Sequence, residues 1–169
     1  MMSINHTFAC DRRAEQVSSL AKEILGDAFV TINVVSLKFS ENFETNQAQL
    51  DAKLVEVSQG KPKKKQIHGE GVGLVDACFD AMIKSYEADF CLFVSISIVD
   101  FTLNSHVEHG SKRKSDAQVT VLLRIKNAAN HEYAFECTTP SISHSSMAVV
   151  EESIAFFINA ELAYTRMHY

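Results

Sequence analysis

Apolar and polar positions recur with two different periods along the chain, and the changes of period divide it into helices and strands. The spacing i, i+3, i+4, which builds one apolar stripe on a helix, occurs within Val17–Leu25, after Gly73 and near residues 144–163. Strict alternation, which is typical of half-buried strands, fills most of the sequence after Phe29. The pattern predicts an α+β fold with antiparallel sheets and helices packed on them.

The N-terminal helix is predicted from its stripe and its two ends. Asp11 can cap the helix, and Gly26 is suited to close it. Residues 1–10 carry no clear pattern and are expected to be loose. We therefore divide the chain into an N-terminal helical appendage, 1–28, and a main domain, 29–169.

Three strands are predicted before the second helix. In Phe29–Phe39 the alternation slips by one residue after Val34, which a β-bulge would produce. The alternation around Leu50 gives the second strand, and Ser58-Gln59-Gly60 is typical of a hairpin turn. A short third strand over about 62–68 follows.

The second half of the chain repeats this order. A long strand is predicted over Asp89–Phe101, with Leu92, Val94, Ile96 and Ile98 on one face. A polar hairpin tip at 104–114 is followed by strands at 117–125 and 132–137. The final helix is expected near 144–163, with Ser143 or Ser145 as its cap.

The order of elements indicates an internal duplication of two βββα units, 29–87 and 89–163, related by pseudo-symmetry. One such unit alone buries too little apolar surface to offset about 1–2 kcal/mol of backbone entropy per residue. Two units sharing a core can do so. Apolar residues remain on the second faces of the sheets, namely Val35, Leu37, Phe93 and Leu122. Because these faces need cover, we expect two chains to pair through a face or edge of each sheet.

Composition excludes several classes of protein. With 169 residues, 46% of them hydrophobic, the chain fits one globular domain. Its net charge of −5 gives no reason to expect nucleic acid or an anionic membrane surface. No signal peptide is recognised, and the apolar run near 90–99 is too short to span a bilayer. Three cysteines lie in apolar runs and are expected in the core of a reduced, cytoplasmic protein; they are Cys78, Cys91 and Cys137.

A run of lysines precedes the second helix at Lys61, Lys63, Lys64 and Lys65. In isolation such a run resembles a nucleic-acid patch, but no aromatic residues are interleaved for stacking on bases. We interpret it as a solvated hairpin edge that discourages edge-to-edge pairing.

The most informative stretch is the glycine turn at Gly69, Gly71 and Gly73, which leads into a helix. Glycine allows positive φ and close backbone approach. The start of the helix presents N–H groups and the positive end of its dipole, so the turn can seat a carboxylate or a phosphate. The alternative is a tight strand-to-helix turn without a ligand, because the last glycine of a dinucleotide fingerprint and the Lys-Ser/Thr pair of a P-loop are both missing.

Other candidate chemistry is weak. His106-x-x-His109 falls in a predicted loop without a third ligand, so no metal is predicted. The seven histidines form no recognisable arrangement with a serine or cysteine nucleophile. A small enzyme that uses Asp76 or a histidine as base remains a third hypothesis. No cofactor is predicted.

The segment Gly71-Val72-Gly73-Leu74-Val75-Asp76-Ala77 resembles the G-x-G-P-(V/Y)-D-A turn of the C-terminal allosteric, dimerising domain of 2-isopropylmalate synthases and citramalate synthases. Ser115-Asp116-Ala117 and the strand Gln118–Leu123 are similar to the same domain, as is the last helix, which closes near Asn159. The resemblance covers about Phe29–Ala163.

The resemblance implies a non-catalytic homodimer that binds a branched-chain amino acid, such as leucine or isoleucine, and regulates a synthase. Carried over by position, the effector-binding candidates in the first turn are Gly71, Gly73, Val75 and Asp76. The symmetric candidates in the second turn are Pro140, Ser141, Ser143 and Ser145.

Two departures from the family pattern favour an alternative function. Leu74 replaces the usual proline, and the second turn lacks the glycines and the aspartate, with Ser145 aligned where the aspartate would be. The alternative is a dimerisation or scaffold module that has lost its ligand.

The family's catalytic barrel would need about 250 residues, and no H-x-H metal motif is present. The sequence is either a free-standing regulatory-type domain, whose catalytic partner would be a separate chain, or a fragment. Met1-Met2 and the N-terminal helix favour the free-standing chain.

Overall fold

A computed structural model describes residues 7–106 and 118–169. Its seven strands and three helices follow one another in the order β1 Thr7–Cys10, α1 Arg12–Leu25, β2 Thr31–Asn42, β3 Gln47–Ser58, β4 Lys61–Gly71, α2 Leu74–Tyr86, β5 Ser97–His106, β6 Gln118–Lys126, β7 Glu132–Thr139 and α3 Ile142–His168. Short 3₁₀ turns occupy Gly26–Ala28 and Cys91–Val94.

The strands form two antiparallel sheets, each followed by its own helix. One sheet has the order β2-β3-β4 and the other β1-β7-β6-β5. Leaving β1 aside, the order strand, strand, strand, helix occurs twice. The predicted α+β fold of two βββα units is confirmed.

A bulge occupies the same place in the first strand of each unit. The register between β2 and β3 shifts between Val34 and Ser36, where the alternation of the sequence slips. The register between β5 and β6 shifts between Ile98 and Asp100. The bulges extend the internal symmetry from the order of elements to the detail of the strands.

One hydrophobic core joins the two units. α2 packs on β4 and β3, whereas α3 packs on β6 and β7 and also contacts α2 and β2. Leu50, Leu54 and Met82 from the first unit share this core with Leu123 and Ile154 from the second. α1 packs along α3, where Ala21 and Leu25 meet Ala163.

The residues directly before α1 form a strand that the sequence does not indicate. Residues 7–10 were expected to be loose, but they form β1 and pair with β7. Asp11 caps α1 as predicted, accepting the N–H of Ala14 at 2.8 Å, and its second oxygen accepts the N–H of Ala134 at 2.7 Å. One aspartate therefore ties the start of the helix to the sheet.

The strand predicted over Asp89–Phe101 begins only at Ser97. Cys91–Val94 is a 3₁₀ turn in which Phe93 is buried while Val94 and Cys91 are exposed. The carboxylate of Glu161 accepts the N–H groups of Cys91 and Leu92, both at 3.0 Å, and so closes the start of this turn. The expectation that Cys91 is a core residue is wrong, as is the prediction that Phe93 lies on an uncovered face.

Three further boundaries differ from prediction. β4 runs on to Gly71, so the third strand is not short, and α3 begins at Ile142 with Ser141 as its cap. The predicted polar tip at 104–114 begins inside β5, which extends to His106. The rest of that tip, including His109, and the segment 115–117 lie outside the described residues.

Candidate effector-binding site

The glycine turn brings β4 and α2 unusually close together. A Cβ atom on Gly69 would lie 2.0 Å from the carbonyl oxygen of Ala77 and 2.5 Å from the nitrogen of Ala81. A Cβ on Gly71 would lie 2.6 Å from the Cβ of Asp76. Because real Cβ atoms are not found at such distances, both positions require glycine for the helix to pack on its strand.

Positive φ plays no part in this turn. Among the glycines that the structure describes, those with positive φ are Gly26 and Gly60, which lie elsewhere. Gly73 has an extended backbone with φ of −171°, and a Cβ there would meet nothing within 4 Å. Of the two properties that glycine allows, this turn uses close backbone approach, at Gly69 and Gly71, and not positive φ.

The N-terminus of α2 is open to a ligand. Gly73 is its N-cap residue and, lacking a side chain, gives no capping hydrogen bond. Asp76 lies in the first turn of the helix and is exposed. The first N–H groups of a helix need acceptors from outside the helix, and at α2 an anion can provide them.

The N-terminus of α3 is closed by its own side chains. Ser141 Oγ accepts the N–H of His144 at 3.2 Å. Ser145 is fully buried, lies 2.8 Å from Thr139 Oγ1 and donates to the carbonyl of Val119 at 3.0 Å. Aligning the helices on their cap residues, Gly73 with Ser141, places His144 opposite Asp76, one residue before Ser145.

A cavity of about 340 Å³, which we call the α2 cavity, lies where the two turns meet. The first turn contributes Gly73, Val75 and Asp76, and the second unit contributes Ile142 and Ser146 of α3; the wall formed by β5 consists of Ile98, Phe101 and Leu103. An open helix terminus therefore faces an apolar strand from the other unit.

A second cavity of about 270 Å³, the α3 cavity, repeats this arrangement with the units exchanged. The bulge of β2 supplies Val34 to Leu37, and α3 supplies Ser141, Ser143 and His144, together with Met147 and Glu151. Each cavity thus joins the bulged strand of one unit to the helix start of the other.

The lining of the α3 cavity includes an unusual carboxylate. Glu151 Oε1 accepts the N–H of Val34 at 2.9 Å. Burial raises the pKa of Glu151 to about 7, against the lowering effect of that hydrogen bond. Near neutral pH the charge of this cavity therefore depends on pH.

Of the eight residues proposed from the sequence, five line the cavities. Gly73, Val75 and Asp76 line the α2 cavity, whereas Ser141 and Ser143 line the α3 cavity. The other three residues line neither cavity. Gly71 allows α2 to pack on β4, Ser145 is buried in the core, and Pro140 is exposed beside Ser141.

Sequence reasoning missed Glu151 and two residues of the strand wall, Phe101 and Leu103. Val99, Phe101 and Leu103 alternate with polar residues beyond the end of the predicted stripe, and this was the available signal. In the register of the sheet Phe101 lies opposite Leu123 and Leu103 opposite Val121, so both share the face that forms the core. Nevertheless Phe101 is 38% exposed and Leu103 is 40% exposed, because no described helix covers this edge.

The described residues offer neither a metal site nor a membrane-spanning helix. No group of three or more His, Cys, Asp or Glu side chains is placed to hold a metal ion. No helix in 7–106 or 118–169 is long and apolar enough to cross a membrane.

The comparisons with known proteins agree with the geometry. The model of the LeuA allosteric (dimerisation) domain family matches residues 13–157. No curated protein matches the chain.

Proposed function

The chain belongs to the LeuA allosteric (dimerisation) domain family, and from this we propose that it is a non-catalytic, homodimeric regulatory domain that senses leucine or isoleucine for a separate synthase chain. The observation that carries the proposal is the α2 cavity, in which an uncapped helix terminus and a carboxylate face an apolar strand.

Each part of a branched-chain amino acid has a counterpart in this cavity. The carboxylate accepts N–H groups at the start of α2, where the helix dipole favours negative charge. Asp76 accepts from the ammonium group. The aliphatic side chain packs on Phe101 and Leu103, and its burial contributes about 1.5–3 kcal/mol.

Isothermal titration with leucine, isoleucine and valine tests the sensing function. We expect binding, with a measurable difference between valine and leucine because one methylene changes affinity by about 1–3 kcal/mol. Asp76→Asn should weaken binding about tenfold or more through loss of a charged hydrogen bond. The matched control is Asp89→Asn, an exposed aspartate outside the cavity. The absence of heat with all three amino acids would remove the sensing role.

The homodimer is proposed to form through β5. Three of the four edges of the described sheets are protected: β4 carries exposed lysines, the described part of β1 has four residues, and Glu151 and Asn159 bond to the backbone of Val34 in β2 and of Val30 directly before it. β5 instead presents its half-exposed core face, next to the exposed Val72 and Ile142. A second copy of the chain would cover this apolar surface.

Sedimentation of the full chain tests the dimer surface. Leu103→Arg should dissociate the dimer because it places a charge in the apolar contact. Leu20→Arg makes the same change at an exposed position of α1 and should leave the dimer intact. Equal effects of the two variants would place the interface elsewhere.

A dimerisation or scaffold module without a ligand is the second candidate. It is favoured by the second turn, where Ser141 caps α3 and Ser145 is fixed in the core. A stable dimer whose melting temperature does not change when amino acids are added would support this function. Amino-acid binding that is weakened by Asp76→Asn would exclude it.

A further inference from the structure

A third cavity lies far from the two helix starts, at the C-terminal half of α3. Its volume is about 500 Å³, and it opens between α1, the 91–94 turn and α3. This cavity, which we call the aromatic cleft, is lined by four aromatic side chains: Tyr133, Phe156, Phe157 and Tyr164. From Ser141 to Glu161 α3 rises about 30 Å, so this cleft is separate from the α3 cavity.

The wall of the cleft is held rigidly by contacts between its rings. The centroids of Tyr133 and Phe156 lie 4.9 Å apart, and those of Phe156 and Phe157 lie 5.1 Å apart. Tyr133 meets Phe157 edge-on at 5.7 Å. All three are buried, so the wall is preformed.

One carboxylate is fixed at the same cleft. Glu161 lines it, and each oxygen of Glu161 accepts one backbone N–H, from Cys91 or from Leu92. Because a carboxylate oxygen has two lone-pair sites, each oxygen can still accept from a ligand. Among the described lining residues no lysine or arginine opposes this charge.

We propose that the aromatic cleft binds a small cationic aromatic molecule, an amine carried on a flat ring system. The ring packs against Tyr133 and Phe156, and the ammonium group bonds to Glu161. The cleft volume lies within the range of about 300–1,000 Å³ that is common for small-molecule sites. This proposal does not depend on amino-acid sensing at the α2 cavity.

Fluorescence titration tests the proposal directly, because the chain contains no tryptophan and an indole probe is read without background. Tryptamine, indole and indole-3-acetate present the same ring with positive, zero and negative charge. We expect tryptamine to bind at least tenfold more tightly than indole-3-acetate, with indole between them. No binding at millimolar concentration, or equal affinity for the two charged probes, overturns the proposal.

Two variants locate the binding. Glu161→Gln should remove the preference for tryptamine over indole, and Ala160→Phe, which fills the cleft, should abolish binding of all three probes. The matched control is Ala9→Phe at an exposed position of β1 outside the cleft, which should bind like the wild type. Circular dichroism checks that the variants fold. Unchanged binding by folded Ala160→Phe also contradicts the proposal.

Alkylation of Cys91 gives an independent readout on the unmodified chain. Cys91 lines the cleft and is exposed, whereas Cys78 and Cys137 are buried and Cys10 is half-buried. Saturating tryptamine should slow the reaction of Cys91 with iodoacetamide several-fold, while indole-3-acetate should not. Equal rates with and without tryptamine would show that the amine does not occupy the cleft.

Discussion

The side chain of Asn159 bridges the backbone of Val30. Its Oδ1 accepts the Val30 N–H at 2.7 Å, and its Nδ2 donates to the Val30 carbonyl at 2.8 Å. Asn159 lies on α3 and Val30 directly before β2, so a helix of the second unit satisfies the edge of the first unit's sheet. Asn159 is almost completely buried, and water cannot take its place.

Asn159→Ala should therefore destabilise the fold by at least about 2 kcal/mol, because an unsatisfied buried polar group costs about 1–3 kcal/mol and two are left. Denaturant unfolding measures this change. At a pH that protonates the new carboxyl, Asn159→Asp keeps both an acceptor and an O–H donor for Val30, so it should retain more stability than the alanine variant. Wild-type stability of Asn159→Ala would show that the bridge is dispensable.

Gly69→Ala should destabilise the fold by about 1–3 kcal/mol or more, since the new methyl group meets the backbone of α2 and packed backbone cannot move aside. Gly73→Ala serves as its control. That position is extended and open, and the change should cost less than about 1 kcal/mol. Thermal melting compares the two variants. A larger loss of stability in Gly73→Ala than in Gly69→Ala would contradict the packing role of Gly69.

The stability of the protein should fall as pH rises from about 4.5 to about 7 through Glu151. Burial raises the pKa of Glu151 from 4.5 to about 7, so the folded state keeps a proton that the unfolded state releases in this window. His144 lines the same cavity, and the charge of neighbouring Glu152 also raises the pKa of Glu151.

Glu151→Gln removes that titration and keeps an acceptor for the Val34 N–H. The variant should match the wild type near pH 4.5 and exceed it by up to about 3 kcal/mol at pH 8. Melting temperatures across this range measure the difference, with Glu132→Gln as an exposed control. A difference that does not change with pH would exclude Glu151 as the titrating group.

Lys65 should matter more than its neighbours in the lysine run. Its Nζ lies 2.8 Å from Glu56 Oε2 and 3.9 Å from the ring centre of Tyr86, whose hydroxyl donates to the same carboxylate at 2.8 Å. Lys65→Met should cost about 1–2 kcal/mol. Lys64→Met, at an exposed position, should stay within about 0.5 kcal/mol. Urea unfolding measures the stability of both variants. Equal losses of stability would mean that the contacts of Lys65 with Glu56 and Tyr86 do not stabilise the fold.

Local patterns in the sequence predicted what local physics determines. The slip after Val34 predicted the bulge of β2 because the two faces of a strand differ in burial. Asp11 was recognisable as a cap because the hydrogen bond to Ala14 spans three residues. The pairing of β1 with β7 was missed, since four residues at the edge of a sheet carry too short a pattern.

The remaining errors arise from partners distant in sequence. Leu92, Val94, Ile96 and Ile98 alternate like a strand, but Glu161 binds the N–H groups of Cys91 and Leu92 and holds a 3₁₀ turn instead. The wall of the α2 cavity was hidden for the same reason. Phe101 comes close to Gly73 only because β5 of the second unit lies beside the start of α2 in the first unit.

The length of α3 has a mechanical consequence. This single helix of 27 residues is about 40 Å long and is attached at Val34, at Val30 and at the 91–94 turn. A helix is stiff along its axis, so an axial displacement imposed near Ser141 must be accommodated at Cys91 as well. The two ends of α3 are therefore expected to move together along the helix axis.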